Sequence, residues 1–98
     1  MTYTVKLVEI KGSTSRYIDA EITDEGDLLL SGQDIGEAPR EVWDEDEYEY
    51  WLTIRSTDKD QVLLALLEKL YTGNLSVISE LKHYLESKDI PCEFFNYF

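Results

Sequence analysis

Residues 47–71 read EYEYWLTIRSTDKDQVLLALLEKLY, and a change of period inside this stretch decides the fold. Tyr48, Tyr50, Leu52 and Ile54 alternate with Glu47, Glu49, Trp51, Thr53 and Arg55, the two-residue period of a strand with one apolar and one mixed face. Further on, Val62, Leu63, Leu66, Leu67, Leu70 and Tyr71 recur three and four residues apart, the stripe of an amphipathic helix. Thr57 followed by Asp60 fits a capping box, so this helix is predicted from about Asp58 to Tyr71.

Downstream, Gly73 suits the left-handed position past a helix end, and Asn74 or Ser76 can cap a second helix whose face carries Val77, Ile78, Leu81, Tyr84 and Leu85. That helix must stop near Lys88, because Pro91 disfavours helical geometry at Ile90. The closing Glu93-Phe94-Phe95-Asn96-Tyr97-Phe98 reads either as a final strand or as an apolar tail. Rings left in water favour association, so a contact between copies through these aromatics is one way to cover them.

Upstream, Tyr3, Val5 and Leu7 alternate with Thr4 and Lys6, and Ile18, Ala20 and Ile22 alternate with Tyr17, Asp19 and Glu21. Turns fall at Lys11-Gly12-Ser13-Thr14 and at Asp24-Glu25-Gly26-Asp27, with Gly26 free to take positive φ. Leu28–Ser31 is a short third strand, and residues 32–46, with two glycines, Pro39 and many acids, read as a long acidic loop with room for one helical turn after Pro39. Tight turns pair successive strands antiparallel. The expectation is one α+β domain over 1–98: a β-meander of about four strands in 1–55, a helical hairpin in 57–88, and an aromatic strand or tail in 91–98. An apolar sheet face and a two-helix hairpin can cover each other as a two-layer sandwich.

Composition narrows the function classes. The apolar fraction of 43% is that of a folding chain, so a net charge of −12 does not imply disorder. Between Asp19 and Glu49 stand 13 carboxylates and one base, Arg40, whereas the remainder carries 8 acids and 8 bases. The whole excess therefore lies in one segment, which disfavours direct nucleic-acid and anionic-membrane binding and favours a basic protein partner. No basic-apolar leader and no long apolar run is present, and the single Cys92 fits a reducing compartment as a small, partly buried side chain. These features place the chain in the cytoplasm as an expectation.

Asp44, Glu45, Asp46, Glu47 and Glu49 form the densest carboxylate cluster. Hard cations take such oxygens, but counted from Asp44 the positions where an EF-hand needs glycine and glutamate hold Glu49 and Arg55. His83 is the only histidine and lies mid-helix, and no phosphate-binding glycine loop or HExxH pattern occurs, so no catalytic residue and no cofactor is expected. Trp51 falls on the strand face opposite Tyr48, Tyr50 and Leu52. There it is either an exposed anchor beside Glu47 and Glu49 or part of a second small core, and Trp43 poses the same question.

The run Leu29-Leu30-Ser31-Gly32-Gln33-Asp34-Ile35-Gly36, with Tyr48-Glu49-Tyr50-Trp51-Leu52 and the leucine-rich helix after them, resembles a group of small acidic bacterial proteins over about half the chain. In that pattern a glycine follows the aromatic before the acid run, whereas here Asp44 follows Trp43. The resemblance implies a bacterial, stand-alone domain and supplies no activity.

The reading is a non-catalytic, acidic interaction module, immunity- or inhibitor-like, that meets a basic protein partner through Trp43, Asp44, Glu45, Asp46, Glu47, Glu49 and Trp51. A close variant is mimicry of nucleic-acid charge. The rivals are a small metal-dependent enzyme using the acidic cluster and a self-associating domain of structural role.

Overall fold

A meander of four strands follows from the alternations at both ends of the β-rich half. The computed structural model describes residues 3–43 and 46–97, Trp43 by its backbone alone. Strands β1 (Tyr3–Ile10), β2 (Thr14–Ile22), β3 (Leu28–Gly36) and β4 (Glu47–Ile54) pair in the order β1-β2-β3-β4, each antiparallel to the next. Helices α1 (Glu37–Trp43), α2 (Lys59–Tyr71) and α3 (Val77–Ser87) complete an α+β fold, with a short 3-10 turn, Ser56–Asp58, leading into α2. The chain divides into two compact units, Met1–Val62 and Leu63–Phe98.

Register sorts the first unit into two sheet faces. Ile22, Leu28 and Ile54 share one row, Ala20, Leu30 and Leu52 the next, and Ile18, Gly32 and Tyr50 a third, which makes one face apolar. A bulge at Leu7 resets the alternation of β1, so Val8, not Leu7, pairs with Ile18. The opposite face carries the rows Glu21-Leu29-Thr53, Asp19-Ser31-Trp51, Tyr17-Gln33-Glu49 and Ser15-Ile35-Glu47.

Two expectations are corrected in this unit. The predicted acidic loop at 32–46 is largely regular structure: β3 continues to Gly36 and α1 follows at once. Strand partners on both sides supply the ladder that propensity alone would not. Pro39 sits in the first turn of α1, where a missing N–H costs nothing, and Thr14 Oγ1 accepts from the Ala38 amide at 2.9 Å to cap that turn. Gly36 has φ +127°, a conformation reserved for glycine, and its amide donates to the Asp46 carbonyl at 2.8 Å. Ahead of α2, Thr57 lies inside the 3-10 turn Ser56–Asp58 instead of capping the helix, and the Ser56 N–H donates to Asp27 Oδ1 at 2.8 Å.

In the second unit Gly73 takes φ +84° as expected, and Asn74 Oδ1 accepts from the Ser76 amide at 2.8 Å. Leu67 and Tyr71 of α2 and Val77, Leu81 and Leu85 of α3 are half-buried at helical spacing. Helix α3 ends in a Schellman arrangement: Ile90 N–H bonds to Leu85 O at 2.9 Å and Asp89 N–H to Glu86 O at 3.1 Å, with Asp89 at φ +57°. Among the described residues the chain from Pro91 onward forms no strand, so the tail reading holds and Phe94 lines a groove with Ile78, Leu81 and Leu85. Cys92 is exposed rather than partly buried.

Candidate functional site

The mixed face of the sheet collects most of the described residues singled out from the sequence. Glu47, Glu49 and Trp51 occupy alternate positions of β4 and therefore one side, whereas Tyr48 and Tyr50 take the other side with ring centroids 5.3 Å apart. Trp51 is 63% exposed, so it is not part of a second small core. Asp44, Glu45 and the side chain of Trp43 lie outside the described residues. Asp46 is engaged by the only base of the acidic segment, since Arg40 Nε donates to its Oδ1 at 2.6 Å.

Four residues not put forward as site candidates from the sequence join Trp51 and Glu49. Across β3, Trp51 faces Ser31 and then Asp19; one row along, Glu49 faces Gln33 and then Tyr17. The two rings stand on one diagonal of this rectangle and the two carboxylates on the other, around a floor made of Ser31, Gln33 and the backbone of Gly32. Ser31 and Gly32 put little bulk on this floor, and the face is hollowed there into an open notch of about 200 Å³.

Hydrogen bonds fix the acidic corner. Gln33 Nε2 donates to Glu47 and, at 3.5 Å, to Glu49 Oε1. A hydrogen bond from Glu49 and the Gln33 amide hold the Glu47 carboxyl below the usual carboxylate value, while the same hydrogen bond and the Glu47 charge push Glu49 above it. Two carboxylates two residues apart on one strand face thus repel at neutral pH, and a cation arriving beside them relieves that repulsion.

Elsewhere, His83 is exposed on α3. Among the described residues no three His, Cys, Asp or Glu side chains converge as metal ligands, and no helix is long and apolar enough to cross a membrane. Comparison with family models, with curated proteins and with solved structures gave no match.

Proposed function

We propose that this chain is a non-catalytic interaction module that binds a basic protein partner through the mixed face of its sheet, in the manner of small immunity or inhibitor proteins. The observation that carries the reading is Trp51, exposed on the edge strand of a face that also carries Asp19, Glu47 and Glu49. Burying such a ring supplies binding energy at one point, whereas the surrounding charges act mainly on encounter rate and partner choice. The 13 carboxylates between Asp19 and Glu49 extend the same field beyond the notch, so association should slow steeply as salt rises. The face also has a stiff scaffold, because three paired strands hold its side chains.

The test is capture from a lysate of the source cell at low and high salt, comparing the wild-type chain with one in which Asp44, Glu45, Asp46 and Glu47 are neutralised and with Trp51→Ala. A basic protein retained by the wild type at low salt, and lost on salt, on neutralisation and in Trp51→Ala, is the expected result. Retention indifferent to all three would refute the reading.

A second reading has its own observation. Phe95 and Tyr97 are 84% and 88% exposed, which supports self-association through the C-terminal aromatics. Sedimentation across a concentration series, with Phe95→Ser/Tyr97→Ser as the control, separates it from the first.

A further inference from the structure

The notch between Tyr17 and Trp51 has a chemistry more specific than a negative surface. We infer that it receives an arginine side chain of the basic partner, an inference that rests on the interaction proposed for this same face.

Geometry limits the occupant. Adjacent strands lie roughly 4.8 Å apart and alternate residues of a strand roughly 6.7 Å apart, so Asp19 on β2 and Glu49 on β4 stand on the order of 12 Å apart across the notch, measured between backbones. The open volume of about 200 Å³ between them admits one flat cationic group. The rings of Tyr17 and Trp51, on the crossing diagonal, line the same notch. An anion is repelled by both carboxylates, and an apolar side chain would strip water from them without replacing their hydrogen bonds.

Between the two biological cations, the lining favours arginine. A guanidinium is flat, so it can lie against an indole face while its N–H groups, spread around its edge, reach acceptors on opposite sides. Asp19 and Glu49 are acceptors on opposite sides, and Ser31 adds a hydroxyl on the floor. A lysine ammonium is a compact, strongly hydrated point charge that can satisfy one carboxylate at a time. The acidic corner is also oriented before binding, because the Gln33 amide holds Glu47 and Glu49.

The experiment uses the full chain and three blocked peptides, Ac-Gly-Gly-Arg-Gly-Gly-NH2 and its lysine and citrulline counterparts, titrated in a two-dimensional NMR experiment. The Trp51 indole N–H is assigned by its loss in Trp51→Phe. The arginine peptide is expected to move that resonance together with the amides of Tyr17, Ser31 and Gln33. The lysine peptide should bind at least about threefold more weakly, and the neutral citrulline peptide should leave the spectrum unchanged. Asp19→Asn/Glu49→Gln should weaken arginine binding about tenfold. Its thermal midpoint, followed in parallel, should stay within about 2 °C of wild type, so that a folding defect is not read as lost binding.

Equal affinity for arginine and lysine peptides, or arginine binding that survives the double substitution, would overturn the inference. Salt-sensitive shifts confined to residues 37–43 and to Asp46 would overturn the notch and leave the broader interaction reading standing. No response to either cationic peptide at low salt would overturn both.

Discussion

The ring of Tyr50 lies across Gly32, its partner in the β3–β4 ladder, so closely that a Cβ at residue 32 would clash with its Cε2, Cζ and Cδ2 atoms. The phenol is anchored at its far end, where its hydroxyl donates to Asp34 Oδ1 at 3.2 Å. Glycine inside a strand is ordinarily unfavourable, and an aromatic ring laid over it from the next strand compensates.

Opposing magnitudes make Gly32→Ala decisive. In an ordinary strand position, alanine for glycine would stabilise by roughly 0.5–1 kcal/mol. Displacing the Tyr50 ring should cost about 1–3 kcal/mol, so the net change in a urea titration is expected to be a loss. In a Tyr50→Ala background the same substitution should turn neutral or favourable. A gain in stability in the wild-type background would show that the ring does not occupy this position.

Asp27 ties the β2–β3 turn to the chain just after β4, and its side chain is only 13% exposed. Its Oδ1 accepts from the Ser56 amide and its Oδ2 pairs with Arg55 Nη1 at 3.2 Å. Arg55 is 73% exposed, so the ion pair contributes little and the amide bond carries the effect. Asp27→Asn, which keeps an acceptor for Ser56, should cost under about 1 kcal/mol, and Asp27→Ala about 1–2 kcal/mol. Equal losses for the two would refute the division.

Asp89 occupies the left-handed position of the Schellman ending of α3, where glycine has no Cβ to strain. Asp89→Gly is therefore expected to raise stability by roughly 0.5–1 kcal/mol despite the added freedom of the unfolded chain. A thermal midpoint unchanged or lowered would mean that the aspartate side chain contributes something the backbone geometry does not.

The strands that alternate cleanly, β2 and β4, were legible in the sequence, as were the glycine at the end of α2 and the stop before Pro91. β3 was only half legible. Ser31-Gly32-Gln33-Asp34 has neither β-branched residues nor an apolar rhythm, and its extended state comes from bonding to strands on both sides. α1, at seven residues, is too short to display a helical period. The site divides the same way. Glu47, Glu49 and Trp51 share a face by counting along one strand, whereas Tyr17, Asp19 and Gln33 join them only through register, which the extent of β3 determines.

The Glu47–Glu49 corner makes stability depend on pH. Glu49 holds its proton above the ordinary value of 4.5 because of the hydrogen bond to Glu47 and the Glu47 charge, while Glu47 is held below it by the hydrogen bonds from Glu49 and Gln33. A raised folded value means that binding the Glu49 proton favours the folded state, so this group adds stability as pH falls through its folded value and none at neutral pH. Glu47 acts in the opposite sense, contributing above its unfolded value and losing that contribution as pH falls through its own lowered one. Glu49→Gln keeps an N–H donor toward Glu47 and removes the like charge. At neutral pH and low salt it should therefore be at least as stable as the wild type, although both carboxylates are solvent-facing and the margin is small. The wild type should regain ground as pH falls into the range where Glu49 takes up its proton, and added salt at neutral pH should narrow the margin in the same direction. Urea midpoints for the two proteins at neutral and acid pH, at low and high salt, decide it. A Glu49→Gln chain less stable than wild type at neutral pH would mean that the Glu49 charge is held by a favourable partner instead of opposed by Glu47.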